Sequence, residues 1–565
     1  MIFEMLFIIS LVVIICMLTM LANKIKIAYP ILLVLAGLAL SLVPGMPQIK
    51  VEPEWIFIIF LPPLLFEAAS GASWKELWKW RRIILSFAFL VVFITACVVA
   101  LVANAILPGF SIALGFLLGG IVSPPDAVSA QAIMRFVKVP KRFSSILEGE
   151  SLFNDASSLI IMRVALVAVG TGQFVWYQAA GSFVWMLVGG LLVGLLVAWV
   201  MIKLHHYLPT DDKVDVVFSL ISPYIMYIAA EEVGASGVIA VVSGGLLLNT
   251  RNVLFMDSTS RLSGVSVWHN FGFLLNGLVF LLIGLDLPEV VAGIREDGTS
   301  LVTATWYGLL VSGVLIFIRM VCSYGAVMIT LFMRRFIKVA DPNYYGLRVP
   351  LVLGWSGMRG VVSLAAALSI PMMTEAGVPF PERSMIIYIT FVVILVTLLL
   401  QGLTLPILIE RMKLPVFNDY LPEQETESII RKGLADVSLR YLRENEMCEL
   451  ISDSQHLQSM VSHWMTQLEE EGQTPLYDAS SELYSNILDQ QRLYLYHLNK
   501  EQANINEDIV KRFIRRIDLE QERLKHGPRR SAKHPAPPPA GGGGDVSFLR
   551  AVASMCKQAF PEEVA

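Results

Sequence analysis

"EGESLFNDASSLIIMRVALVAVG", residues 148–170, places Glu148, Glu150, Asn154 and Asp155 within eight positions at the head of an almost wholly apolar run. Such a run suits lipid, yet an ionisable side chain at the bilayer centre costs about 2.5–3.5 kcal/mol on insertion scales. Where chains keep such groups, they face the bundle interior or a water cavity and mark an ion or proton path. The stretch is therefore either the buried helix of a soluble core or a working transmembrane helix, and the surrounding sequence has to decide.

It decides for the membrane. Of 565 residues, 55% are hydrophobic and only 16% charged, where soluble chains carry about 25%. The mean hydropathy is +0.64. Thirteen apolar stretches read as spans of an all-α polytopic protein: 2–22, 27–44, 53–70, 83–107, 110–133, 144–170, 180–202, 214–232, 236–249, 265–286, 301–333, 349–371 and 384–410. The first lacks a basic n-region and a small-residue cleavage site, so it reads as a retained span and not a signal peptide. Loops after odd-numbered spans hold eighteen Lys and Arg, and loops after even-numbered spans hold three, Lys50, Arg295 and Arg383. Basic residues gather on the cytoplasmic side. The expected topology is a multi-pass protein of the cell membrane, N-terminus outside and C-terminus cytoplasmic.

A transmembrane domain over 1–413 gives way to a cytoplasmic helical domain over 414–528, where "ESIIRKGLADVSLRYLRENE" and "NEDIVKRFIRRIDLEQERLKHG" have amphipathic periodicity. A Pro/Gly-rich flexible segment (529–545) and a terminal tail (546–565) follow. The net charge of -4 offers nothing to nucleic acid. The five cysteines lack metal-like spacing, and no disulfide framework or transition-metal site is expected.

Helical geometry, at about 100° per residue, sets Ser151 and Asp155 on one face, with Asn154 one step around. The three can border one cavity, while Glu150 turns elsewhere and Glu148 reads as an entrance charge. Carboxylate, carboxamide and hydroxyl oxygens are hard ligands suited to an alkali cation. A second constellation, "GGIVSPPDAVSAQAI" (119–133), has Pro124 and Pro125 in mid-span with Asp126 beside them. Two prolines break a helix, and unwound backbone at membrane depth is tolerated where it lines protein or a cavity. The alternative is a plain kink with Asp126 capping the second half-helix. A third, "GWSGMRGVVSLAAALSI" (354–370), loosens the twelfth span around Arg359. Interrupted spans five and twelve suggest an inverted-repeat transporter. Arg319 needs an acid, and Glu150 is the preferred partner, with Arg359 the alternative base. Competing functional readings are a cation channel and an intramembrane serine protease built on Ser236 of "VGASGVI" (233–239). The protease would need His269, at the edge of span ten, since His205 and His206 fall in a loop.

Together "LPPLLFEAA" (61–69), "SPPDAV" (123–128), "EGESLFNDASSL" (148–159) and "GWSGMRGVVSLA" (354–365) resemble the sodium/proton antiporters of the NhaP and sodium/proton exchanger type, in the monovalent cation:proton antiporter-1 family. The resemblance covers roughly residues 1–413. It implies a homodimer in membrane lipid, each protomer having thirteen spans, a dimerisation domain and a six-helix core with crossed broken helices in spans five and twelve. Asp155 would be the carboxylate that binds cation and proton in turn. Asp126, Ser151 and Asn154 would complete the metal site with the Pro125 carbonyl, where the family often has threonine. The Asn-Asp pair implies electroneutral exchange, and Glu150 with Arg319 or Arg359 a structural ion pair. No cofactor is implied beyond transported Na⁺ (or Li⁺ or K⁺) and H⁺, and the cytoplasmic tail would be a regulatory contact.

Overall fold

The structure is a computed structural model that describes residues 2–43, 53–137, 139–172, 174–208, 211–296, 298–333, 346–374, 377–414, 420–444 and 481–526. The chain divides into two compact units, Met1–Asn418 and Asp419–Ala565. Among the described residues it is all-helical, with no β-strand and a lone antiparallel bridge between Met373 and Pro379.

The first unit opens with α1 (Ile2–Ile25), α2 (Tyr29–Ser41), α3 (Pro53–Gly71) and α4 (Trp74–Leu85). A π-helical turn over Ser86–Val91 leads from α4 into α5 (Val92–Ile106). Next come α6 (Ile112–Val122), α7 (Ala127–Met134), α8 (Lys141–Thr171), α9 (Trp176–Tyr207), α10 (Asp212–Glu232) and α11 (Gly237–Phe255). The unit closes with α12 (Ser258–Leu285), α13 (Leu287–Glu296), α14 (Leu301–Met333), α15 (Arg348–Trp355), α16 (Val361–Leu368), α17 (Arg383–Val396) and α18 (Gly402–Met412). A second π turn, Thr397–Gln401, joins α17 to α18. Helices dominate because lipid offers backbone groups no partner, so each segment satisfies its own. Several starts carry side-chain caps: Ser73, Ser111 and Asp211 accept backbone N–H groups of Glu76, Leu114 and Val214 at 3.3, 3.2 and 2.9 Å.

Among the described residues, nine helical stretches are long and apolar enough to cross a membrane, and Ile9–Ile25, Tyr29–Ser41 and Phe57–Gly71 are shorter apolar helices. The segment read as a twelfth span is two short helices, α15 and α16, with five non-helical residues between them. Likewise α6 and α7 are separated by Ser123, Pro124, Pro125 and Asp126. Three local expectations need correction. His205 and His206 are not in a loop but in the last turn of α9, which runs on past the apolar stretch to Tyr207. His269 lies inside α12, whose helix begins well before the apolar run does. The ninth stretch, read as ending at 249, continues to Phe255 as polar helix.

The second unit has α19 (Glu423–Glu444), α20 (Ser481–Glu501) and α21 (Glu507–His526). Its own core includes Ile430, Ile487, Leu488, Leu495, Val510 and Phe513. Buried Arg492 donates to Asp489 (2.5 Å), Asp518 (3.1 Å) and Gln521 Oε1 (2.5 Å). The sequence reading passed over α20, although Tyr484, Ile487, Leu488, Leu495 and Leu498 repeat at helical spacing. The expected Pro/Gly-rich segment, the terminal tail, Cys448 and Cys556 lie outside the described residues. Cys16, Cys97 and Cys322 are free thiols.

Candidate functional site

The two helical interruptions meet. The Asp126 backbone N–H donates to the Met358 carbonyl at 2.7 Å, tying the gap between α6 and α7 to the gap between α15 and α16. Glycine makes the approach possible: a Cβ on Gly360 would lie 2.4 Å from Asp126 Oδ2. Each gap leaves a helix C-terminus with orphan carbonyls. Arg359, 1% exposed, serves both. Its Nε donates to the Val122 carbonyl at 3.0 Å, one Nη to Ser123 O at 3.4 Å, and the other Nη to Gly357 O. A fixed cation at the C-terminal ends of two half-helices opposes their dipoles favourably. Arg359 therefore spends its donors on backbone, and Glu150 is taken by Arg319 through two parallel bonds of 2.7 and 2.9 Å.

Asp126 is the N-cap of α7. Its carboxylate accepts from Val128 N (2.9 Å), Ser129 N (3.4 Å) and Ser129 Oγ (2.7 Å). Asp155, on α8, has no hydrogen-bond partner among the described residues, though it is only 7% exposed. Both carboxylates line one cavity of about 440 Å³, together with Ser151, Glu148, Glu67 and Arg135. Ser151 Oγ accepts the Ala127 backbone N–H at 3.3 Å, so α8 also braces the start of α7. Glu67 of α3 sits 3.8 Å from His269 Nδ1. Two carboxylates facing one largely apolar cavity repel, and a cation or a proton between them relieves the repulsion.

Asn154 departs from the expected common face. It is fully buried and does not line the cavity. Its Nδ2 donates to the Pro125 carbonyl at 2.7 Å, which draws the side chain toward the proline break. Its Oδ1 has no partner. The Pro125 carbonyl keeps a second lone pair, so the bond does not remove it as an oxygen ligand. Among the described residues no group of three or more His, Cys, Asp and Glu could hold a metal ion. The donors gathered here are two carboxylates, a hydroxyl and a carbonyl, which is alkali-cation chemistry. The sequence reading missed Ser129 as a donor to Asp126, although the Asp-x-x-Ser spacing is a capping signal. It also missed the carbonyl-binding role of Arg359, for which no local signal exists.

Residues 8–411 match the family of sodium/hydrogen exchanger transmembrane regions. The chain belongs to the sodium/hydrogen exchanger family. A sodium, potassium, lithium and rubidium/proton antiporter of Bacillus subtilis is 34% identical over 390 residues, covering 67% of this chain and 58% of its own length. The Na⁺/H⁺ antiporter ApNhaP of Aphanothece halophytica is 32% identical over 69% of this chain and 70% of its own. The chain thus spans less than two thirds of the length of the Bacillus relative that it matches. Among solved structures, the sodium proton antiporter MjNhaP1 of Methanocaldococcus jannaschii superposes with a TM-score of 0.59 over 73% of this chain and 99% of its own. At 19% identity that likeness establishes the fold alone.

Membership in a transporter family sets the enzyme reading aside, and the geometry gives Ser236 another task. Ser236 caps α11, its Oγ accepting the Ile239 N–H at 3.4 Å. His269, the base that a serine nucleophile would need, stands beside Glu67 in the cavity. Arg163 pairs instead with Glu231, which also accepts the Gly237 N–H at 3.2 Å.

Proposed function

We propose that this exchanger is a secondary transporter that trades Na⁺ for H⁺ across the cell membrane, one for one, with both ions competing for Asp155. The observation that carries the reading is the asymmetry between Asp126 and Asp155. Asp126 is pinned by three donors, while Asp155 has none. A mostly buried carboxylate without protein donors is favoured when a cation or a proton neutralises it. Na⁺, completed by Asp126, Ser151 and the Pro125 carbonyl that Asn154 holds in place, does this in one half-cycle. H⁺ does it in the other. If the helices around the site rearrange only with Asp155 neutral, the exchange is obligatory and carries no net charge.

On this reading residues 1–413 form the transporting domain and 414–528 a cytoplasmic regulatory one. The crossed gaps at Asp126 and Met358 belong to two inverted repeats, and the protein works as a homodimer in lipid. Arg135, at the C-terminal end of α7, and Glu148, two turns into α8, line the cavity on the side of the basic loop between those helices. With the N-terminus outside, that places the opening toward the cytoplasm. Glu150 and Arg319 hold α8 to α14 and take no part in transport.

Reconstituted protein with a trapped pH dye tests this cation by cation. Asp155→Asn abolishes exchange and Asp155→Glu damages it. Full activity in Asp155→Asn vesicles would overturn the assignment. A K⁺-preferring exchanger is the second reading, favoured by the potassium, lithium and rubidium in the name of the Bacillus relative. The same assay separates the two by which cation collapses the gradient. A current far above exchanger turnover would instead indicate a channel.

A further inference from the structure

The base of α4 has no role in the cation site, yet it gathers four basic side chains and three indoles within ten residues. "SWKELWKWRR", residues 73–82, holds Lys75, Lys79, Arg81 and Arg82 with Trp74, Trp78 and Trp80. The helix sorts them by face. Glu76, Leu77, Trp80 and Ile84 are buried, with Trp80 Nε1 donating to Glu76 at 2.9 Å. Trp74 and Trp78 are 47% and 56% exposed and stack on each other at 5.8 Å. The Arg81 guanidinium covers the outer Trp78 ring at 4.4 Å, and Arg82 is exposed beside it. Arg81 makes one hydrogen bond, to Trp78 O at 2.6 Å, so most of its N–H groups have no protein partner among the described residues. From α8, Arg142 lies over the other side of the cluster, 3.8 Å from the Trp80 ring, with Lys141 adjacent.

Length places this patch. The continuous helix Trp74–Ile106 has 33 residues, about 50 Å at ~1.5 Å per residue. The hydrocarbon of a bilayer is only about 30 Å thick. The apolar portion is the C-terminal one, so the base of α4 stands at headgroup depth on the side of the basic loops. Indole rings prefer that layer. Guanidinium groups recognise phosphate through paired N–H donors. Four to eight bases at the foot of a membrane helix are the usual footprint of anionic lipid recognition.

We propose that the foot of α4, Trp74 to Arg82, with Lys141 and Arg142 of α8, is a binding site for an anionic phospholipid. The phosphodiester sits on Arg81 and Arg82, Trp74 and Trp78 flank its headgroup side, and the acyl chains run along the exposed Leu85, Leu90 and Phe93. The site abuts the cation pathway: a Cβ on Gly149 would fall 2.6 Å from Ile84 Cδ1 and 2.7 Å from Leu77 Cδ2, so α4 packs directly on α8 between Glu148 and Glu150. A lipid held there rests against the helix that carries Asp155.

The test counts lipids retained by the purified full-length protein in native mass spectrometry, a readout that does not depend on exchange. Phosphatidylglycerol is retained in preference to phosphatidylcholine. Each charge removed in Arg81→Gln and Arg82→Gln lowers that preference roughly fivefold. Arg81→Lys with Arg82→Lys keeps most of it, and Leu85→Ala weakens retention of both lipids. Lys203→Gln, a base over aromatic rings at the foot of α9, leaves the preference intact. Inorganic phosphate does not displace the bound lipid. Equal retention of the two lipids by the unmodified protein overturns the proposal. So does an unchanged preference in the glutamine variants, a Lys203→Gln effect as large as theirs, or displacement by phosphate alone. Should the glutamine variants fail to fold, undiminished retention by Leu85→Ala overturns it too.

Discussion

Glu150 and Arg319, 1% and 2% exposed, satisfy each other through a two-point contact far from water. Removing one partner of such a pair strands the other charge, at about 3–5 kcal/mol, whereas replacing both with apolar groups is often neutral. Glu150→Gln is therefore expected to lower the thermal midpoint of the detergent-solubilised protein sharply, and Glu150→Gln with Arg319→Met to recover most of it. If the single variant melts like the parent, the pair is not the buried lock described here. Gly360 works through space alone. Gly360→Ala sets a methyl 2.4 Å from Asp126 Oδ2 and displaces the carboxylate from its cap. A cation affinity weakened by about tenfold, ~1.4 kcal/mol, is the expected result, read as a rise in the half-saturating Na⁺ concentration. Residue by residue, helical spacing alone separated Glu150 from Asp155, since five positions turn a side chain about 140°. It did not foresee that Asn154 would leave the cavity, because the Pro125 carbonyl that draws it lies twenty-nine positions away.

Between elements, small residues decide how closely helices approach. On α6, Gly115 and Gly119 stand four apart, and a Cβ on either would meet the Ala100 or Ala96 carbonyl of α5 at 2.6 Å. The pattern is the small-x-x-x-small contact of membrane helices. Gly119→Val is expected to push α6 from α5 at about 1–3 kcal/mol. A lower melting midpoint with a weaker cation response would show it, because α6 ends at the gap that positions Asp126. Retained stability would mean the contact is looser than drawn. Double proline at 124 and 125 announced the end of α6 in the sequence. The end of α15 had no such mark. Three glycines within seven residues are compatible with tight packing or with a gap, and the partner across the contact, Asp126, settles which.

At the scale of the molecule, the two units hold separate apolar cores. The second is pinned by Arg492 against Asp489, Asp518 and Gln521. Arg492→Leu takes the buried cation away from Asp489, Asp518 and Gln521 together, a loss of about 3–5 kcal/mol. Amide exchange should accelerate across α19, α20 and α21 while α8 and α14 stay as protected as before. Unchanged exchange in α20 would contradict the packing assigned to it.

Composition and periodicity by themselves determined a helical membrane protein, the approximate limits of most of its helices and the few buried charges worth attention. They succeeded because lipid allows backbone one answer and taxes every charge. Only the tertiary structure decided which charges meet. Arg319 reaches Glu150 across 169 positions, and Arg359 reaches the α6 carbonyls across more than two hundred. Such pairings depend on how helices cross, and a crossing leaves no period in the chain to read.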